Sequence, residues 1–525
     1  KSGAGTLTLT GSSNYAGGTQ LLAGRINVGS NTALGTGALD MADGTTLGFA
    51  ANNLNLANDI VLSGVGDPIV DTGSFDATLS GAISGTGFLT KEGTGALTLT
   101  GASNYSGPTT VSAGTLRAGA ANTFSGASAY TVATGATLDT AGFSQSIGAL
   151  TNSGTVSLLS ASAGSTLTVN GNYVGNNGLL RIGTVLGDNT SVSDHLVITG
   201  SASGTTRVQV TNLSGLGGQT TGDGIQIVSA AGGIASGAFS LAGTVSAGAY
   251  DYHLNTTSNA AYLSNTIAVT PTTPTTPTSE APAAAPTPVP TYRAEASLLA
   301  AAPEQLREAG LAMVGNLHQR VGDEVRSGST SGQRQAWGRY ISVDRDIAQE
   351  GTVSATSSGR QNGVQVGTDL WGNPNWRAGV YVGQLEGDLD VRGFARGAQN
   401  YAAGSNDLRS QFLAGNPTWR TATGLYVDSV LQGGRLPYSA SPSLAASAEG
   451  KGSSVLASVE VGQALQVAPG WTVEPQLQLA SQRVSLDDLG LAGATVQQDN
   501  DSTWLARIGV RVKREVATGA GLLPP

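Results

Sequence analysis

The sequence predicts an all-β protein: a right-handed parallel β-helix, or solenoid, followed by an antiparallel transmembrane β-barrel with a short α-helix in its lumen. Three observations carry that expectation. A Gly/Thr-rich segment recurs at a fixed offset within residues 1–170, and a proline-rich stretch near residue 280 divides the chain. Beyond it, polar and apolar residues alternate in runs of about 9 to 12, the length a tilted strand needs to cross a bilayer.

The repeat comes first. KSGAGTLTLTGSSNYAGGTQLLAGRI (1–26) returns as KEGTGALTLTGASNYSGPTTVSAGTL (91–116), and a fixed-offset repeat is the mark of a stacked architecture. Leu7 and Leu9, like Leu97 and Leu99, alternate with Thr, and Gly- or Asn-containing turns interrupt them every few residues, as short strands require. Stacked coils bury small apolar residues against one another, which suits a chain with 76 Gly and 5% aromatic residues. GATLDTAG (135–142) and SGTVSLLS (153–160) read as further rungs. The two copies resemble the passenger-associated transport repeat of autotransporters. That pattern is met at Gly5, Leu7, Leu9, Gly11, Tyr15, Gly17 and Thr19, and again at Gly95, Leu97, Leu99, Gly101, Tyr105, Gly107, Thr109, Gly114 and Leu116.

Residues 171–270 resemble a pertactin-like passenger stem, in which Asp194, Leu196, Ile198, Gly200, Gly222, Asp223, Gly224, Gly248, Tyr250 and Tyr252 stand at the family's recurring positions. The resemblance implies an autochaperone cap. The last coil of a solenoid exposes unpaired strand groups, and Tyr250, Tyr252 and Tyr262 offer bulk to cover them.

The stretch 271–292 opens with PTTPTTPTSEAPAAAPTPVP, whose prolines lack amide donors and favour extended backbone, so it reads as a linker. Within 293–330, Leu306, Gly310, Met313, Leu317 and Val321 recur at spacings of three or four, predicting a helix from about Pro303 to Val325.

From 334 to 525 the alternation is that of barrel strands. Val364, Val366 and Leu370 oppose Gln365, Gly367 and Asp369; Leu425, Val427 and Leu431 oppose Tyr426, Asp428 and Gln432; Ile508, Val510 and Val512 oppose Arg507, Arg511 and Lys513. Trp337, Trp371, Trp376, Trp419, Trp471 and Trp504, all the tryptophans of the chain, fall near strand ends, where membrane-interface aromatics belong. The polar stretch 438–454 reads as a long extracellular loop. Trp337-Gly338-Arg339, GVQVGTDL, LYVDSVLQG and GWTVEPQLQL resemble the autotransporter β-domain. That resemblance implies a barrel of about twelve strands threaded by the helix, of which about eight are recognisable, so the barrel reads as incomplete at its C-terminal side. It makes Glu460, Glu474, Arg507 and Arg511 candidate lumenal contacts of the helix.

Chemistry is not written into the chain. There is no G-x-S-x-G element, and Asp194-His195 are adjacent strand residues that point to opposite faces, so no catalytic residues are expected. Zero Cys and three scattered His offer no metal or cofactor site, and a net charge of -9 opposes nucleic acid. The absence of Cys suits passage through an oxidising periplasm. The expected location is the bacterial outer membrane, with the passenger at the surface or secreted. The expected partners are outer-membrane lipid, the barrel assembly machinery, periplasmic chaperones and a host-surface receptor. Two functions stay open: a passenger that acts as an adhesin, or a scaffold for an enzymatic domain upstream of Lys1, where any signal peptide would also lie.

Overall fold

The computed structural model describes residues 1–63, 66–269, 287–315, 336–498, 501–514, 516–518 and 521–523. It divides into two compact units, Lys1–Pro290 and Thr291–Pro525.

The first unit is a parallel β-solenoid of about eight turns. In one stack of strands Thr6 lies beside Arg25, Arg25 beside Thr46, Thr46 beside Ile69 and Ile69 beside Thr90, so a coil takes roughly 20 residues. A second stack runs from Leu54–Leu56 through Ala77–Leu79, Ala96–Leu99 and Thr115–Ala118. A third joins Thr19–Leu21, Leu39–Met41, Ile60–Leu62 and Ile83–Gly85. The offset between the copies therefore spans several coils, while each copy covers little more than one. The logic of the repeat is internal: the Leu-x-Leu strand of each copy pairs with the strand one coil later in the same copy, Leu7 with Ile26 and Leu97 with Leu116. The first copy begins on the first stack and the second copy on the second, so the motif specifies a path rather than a face.

In the second copy Leu97 and Tyr105 are 0% exposed between neighbouring coils. In both copies the tyrosine bonds the threonine four residues on, Tyr15–Thr19 at 2.8 Å and Tyr105–Thr109 at 2.7 Å. A methyl group on Gly95 would stand 1.9 Å from the Phe75 carbonyl oxygen of the preceding coil. Lys91, fully buried, donates to the carbonyls of Glu92, Gly93 and Ala113 at 2.7, 2.9 and 3.1 Å, stitching one coil to the next. Burial pushes its ammonium down from the usual lysine range to about 8, against the opposing pull of Asp71, Asp76 and Glu92.

Beyond residue 170 the coils lengthen. Tyr173–Thr184 runs past both Leu150–Asn152 and Thr155–Ser157, then pairs with Ala202–Asn212 across a bulge at Asn177, whose φ is 57°. Asp194 is buried, and its carboxylate accepts from the backbone of Gly164, Ser165 and Gly183 at 3.0, 2.9 and 2.7 Å, a structural staple rather than half of a triad. The stack then ends by changing direction. Ile225–Ala230 pairs antiparallel with Ala260–Ser264, which continues through Tyr250–Thr256 to Val245–Ala247. This meander covers the last parallel edge. Tyr252 is buried in it and donates to the Gly187 carbonyl at 2.7 Å, while Tyr250 and Tyr262 are half-buried.

In the second unit eight long strands form one curled antiparallel sheet: β1 (Ala336–Ala348), β2 (Thr356–Gly372), β3 (Trp376–Ala395), β4 (Ala398–Arg420), β5 (Leu425–Arg435), β6 (Gly452–Gln463), β7 (Trp471–Leu486) and β8 (Ser502–Arg514). Each pairs with the next along the chain, the up-and-down order that short connections impose. One end carries tight turns such as Asn373–Asn375, where the Asn373 side chain accepts from the amides of Asn375 and Trp376 at 2.9 and 2.7 Å. The expected loop 438–454 is partly folded: Tyr438–Pro442 continues along β4 and pairs with Ala448–Gly450.

The helix α1 spans Ala294–Val314, beginning well before the expected start at Pro303, which lies inside it. The expected span 316–325 lies outside the described residues. The reason for the earlier start is enclosure. Leu298, Leu299, Ala301 and Ala302 are all buried, so this part of the helix is covered on adjacent faces and shows no narrow apolar stripe. No helix among the described residues is long and apolar enough to cross a membrane.

Candidate functional site

The site is the inner face of the curled sheet together with the helix lying on it. Strand alternation places its groups. On β2, Val364, Val366 and Leu370 face outward and exposed while Gln365 and Asp369 are buried inside. The same holds for Leu431 against Gln432 on β5, Leu477 and Leu479 against Gln478 on β7, and Ile508, 84% exposed, between Arg507 and Gly509 on β8. A row of Val, Leu and Ile that faces away from the interior needs an apolar solvent.

The pattern reverses part-way along β3. From Trp376 to Val382 the outward residues are apolar or aromatic; from Gln384 onward they are Glu386, Asp388, Asp390 and Arg392, and the inward ones become Leu385, Leu389 and Val391. Glu386 pairs with Arg409 of β4 at 2.6 Å on this polar outer stretch. Below the reversal the sheet is polar inside and apolar outside; above it the order is that of a protein in water.

Upper and lower halves hold the helix differently. Above, Leu298, Leu299 and Leu306 pack against Leu389, Val391, Leu408, Phe412 and Val484. Gln305 bonds Ser357 and Asn406, both at 2.8 Å. At the start of α1 the buried pair Arg293–Glu295, at 2.7 Å, also reaches the Ala492 carbonyl at 2.9 Å, and Glu295 suits the positive end of the helix dipole. Below, the sheet approaches the helix closely at Gly310, where a methyl group would stand 2.3 Å from the Gln482 amide nitrogen. The last turn of α1 contains no basic residue, and β1 supplies one: Arg339 donates to the carbonyls of Met313 and Gly315 at 2.7 and 3.2 Å.

Glu460 and Glu474, buried on β6 and β7, lie toward the tight-turn end. Arg507 meets Glu460 at 3.1 Å; Arg511 and Lys513 meet Glu474 at 3.4 and 3.3 Å. Tyr426 donates to Glu460 at 2.9 Å, and Gln476 donates to Glu474 at 2.8 Å. Among the described residues the four charges expected to touch the helix thus have one another, Tyr426, Gln476 and Lys513 as partners. Among the described residues the groups that hydrogen-bond the helix are Arg339, Arg345, Gln349, Ser357, Gln365, Asn406 and Gln432; strand alternation puts Gln365 and Gln432 on the inner face without assigning them a role.

Of the tryptophans, Trp371, Trp376, Trp471 and Trp504 are exposed on the outer side, and Trp419 is half-buried beside Trp376 in register. Trp337 departs from the expectation: it lies on the inner face with Arg339, its ring 6.0 Å from that of Tyr381. Among the described residues no three His, Cys, Asp or Glu side chains are grouped to hold a metal ion.

Comparison with known proteins agrees with this layout. Family models match the autotransporter beta-domain at residues 336–525, the autochaperone domain type 1 at 145–254, and the passenger-associated transport repeat at 1–28 and 89–118. The chain is 32% identical to the adhesin BmaC autotransporter of Brucella suis biovar 1 (strain 1330), over 98% of its own length and 15% of the relative's. It is 30% identical to the uncharacterized protein YdeU of Escherichia coli (strain K12), over 66% of its length and 78% of the relative's. It is 27% identical to the pertactin autotransporter of Bordetella bronchiseptica, over 45% and 26%. The chain thus spans a small part of the first of these relatives and most of the second. Transport repeats stacked in a solenoid, an autochaperone match over its capped end, and a helix held on the polar inner face of a β-domain with an apolar outer face together place the chain in the autotransporter family, an outer-membrane β-domain with a passenger at the cell surface or secreted.

Proposed function

We propose that this chain anchors and displays its own solenoid: the β-domain sits in outer-membrane lipid, its inner face carries the connecting chain outward, and the solenoid works outside the cell as an adhesin. The observation that carries the reading is the reversal on β3, where the outer face changes from Trp376–Val382 to Glu386–Asp390, because a fixed change of solvent along one strand is what a bilayer edge imposes. In this reading 1–170 is the contact surface, 171–270 its autochaperone cap, 271–292 the linker, and Trp371, Trp376, Trp419, Trp471 and Trp504 lie at the membrane interface. Glu460, Glu474, Arg507 and Arg511 brace the lumen near the tight turns. The barrel assembly machinery and periplasmic chaperones serve insertion, a host-surface receptor is the target, and the described chain carries out no catalysis.

The test is protease treatment of intact cells making the full-length protein, with epitopes on either side of the 271–292 linker. Loss of the solenoid epitope with a protected β-domain fragment is expected. Protection of both would overturn the reading.

A further inference from the structure

The contacts between the sheet and α1 have a common form. Asn406 donates to the carbonyl of Leu298 at 2.9 Å, Gln349 to Ala300 at 3.2 Å, Arg345 to Glu308 at 2.8 Å and Gln432 to Gly310 at 3.2 Å. Gln365 donates to Met313 at 3.1 Å, and Arg339 to Met313 and Gly315 at 2.7 and 3.2 Å. Six side chains on β1, β2, β4 and β5 and the loop after β1 thus reach six main-chain oxygens along the described helix. An interior helical carbonyl has a second lone pair beyond the one used by its own helix, and the last-turn carbonyls have no helical donor, so a donor on the wall can bind either. Carbonyls occur in every residue of every sequence. Among the described residues, hydrogen bonds to helix side chains are fewer, Gln305 with Ser357 and Asn406 and Glu308 with Arg345, and the apolar side chains Leu298, Leu299 and Leu306 are held by packing. Ala301, Ala302 and Ala309 are buried, and Gly310 makes the close approach to Gln482, so the wall constrains size where it does not read chemistry.

We infer that the inner face of the β-domain is a backbone-reading surface for polypeptide. Its amide and guanidinium donors hold the chain's own connecting segment by its carbonyl oxygens, and they accept any sequence whose side chains are small enough at the contact points. This rests on the reading that the β-domain passes its own chain outward, and it names what the wall recognises. A wall that gripped side chains would discriminate among passing sequences. One that offers exchangeable donors to every carbonyl holds each residue alike and releases it to the next. The occupant is this chain, with α1 as the segment left in place.

The absence of cysteine makes a direct test available. In the protein carrying Ala302→Cys as its single cysteine, folded in detergent micelles, labelling by a small maleimide reports how often α1 leaves the wall. Removing donors with Gln365→Leu, Asn406→Leu and Gln432→Leu together is expected to speed labelling at least tenfold. Exchanging helix side chains at similar size, Leu298→Met, Leu306→Met and Met313→Leu, is expected to change it less than twofold. Gln365→Glu, Asn406→Asp and Gln432→Glu keep polarity and shape but lose the donors, and are expected to match the leucine variants. If the glutamate and aspartate set labels like the parent, or the helix exchanges speed labelling as much as the wall changes, the inference is wrong. Heat-modifiable gel mobility reports folding of each variant; if the triple changes do not fold, the three single changes, each expected to speed labelling about threefold, make the same comparison. Failure of the parent to display its solenoid on cells would remove the secretion reading and leave this comparison intact.

Discussion

In the solenoid, Leu97, Leu99, Val111 and Leu116 point inward and Thr98, Thr110 and Arg117 outward. In the membrane-level part of the sheet, Gln365, Gln432, Glu460 and Glu474 point inward and Val364, Leu431, Val459 and Leu477 outward. Both use a two-residue period and nearly the same apolar vocabulary, so local pattern does not tell them apart. What differs is which face carries which class, and that is decided by the solvent outside. The solenoid is held by burial of small apolar groups from water at about 25 cal/mol per Å². The sheet cannot draw on that term at its polar interior, and its inner apolar contacts are concentrated around α1 above the reversal.

The comparison can be broken most severely by charge on the wrong face. Leu97→Asp would place a carboxylate without a partner in the solenoid interior and is expected to cost more than about 4 kcal/mol, abolishing cooperative urea unfolding of the solenoid followed by circular dichroism. The corresponding insult to the sheet is on its outer side: Leu477→Arg is expected to cost about 2–4 kcal/mol, read as loss of the heat-modifiable folded band in lipid vesicles. In water, an exposed leucine replaced by arginine would matter little, so a neutral result would mean that β7 does not face hydrocarbon.

Coil spacing sharpens the same comparison within one unit. Gly95→Ala drives a methyl group against the Phe75 carbonyl and is expected to cost about 2 kcal/mol. A neutral result in urea titrations would mean that this glycine serves chain flexibility and not coil spacing.

The smallest expected effect is a pH slope. The buried Lys91 ammonium titrates near 8 in the folded solenoid and in the ordinary lysine range when unfolded. Between those values the unfolded chain holds a proton that the native one lacks, so stability rises as pH rises from about 8 toward 10 and is lost as pH falls through 8. The slope is expected to be below about 1.4 kcal/mol per pH unit. Asp71, Asp76 and Glu92 face the lysine and oppose the shift, while buried Tyr105, Tyr130 and Tyr173, held above the usual tyrosine value, lose stability only when pH passes that value. Melting Lys91→Met beside the parent from pH 8 to 9.5 isolates the lysine, and an unchanged slope would exclude it.

Much of this was legible beforehand because alternation reports which residues share a face. Leu97 with Leu99, and Gln365 opposite Val364 and Val366, needed no structure. The start of α1 was not legible, because a helix enclosed on adjacent sides by Leu298, Leu299, Ala301 and Ala302 carries no stripe, and Pro303 imitates a first helical position. Trp337 was misread although its signal was present: two residues from Arg339, it must share the arginine's face. The wall donors were hidden for another reason. Asn and Gln on the inner side of a strand look alike whether they meet water or a backbone carbonyl, and only the position of the helix separates the two.

Because each repeat copy pairs its first strand with its own last strand, the solenoid counts in coils rather than in residues. Deleting or inserting one full turn of about 20 residues leaves every remaining neighbour in register, whereas a change of half a turn turns every later strand onto the wrong stack. Length can therefore change in whole turns without renegotiating the antiparallel cap, and because the two copies start on different stacks, joining one copy to the other removes a fraction of a turn and throws the later strands out of register.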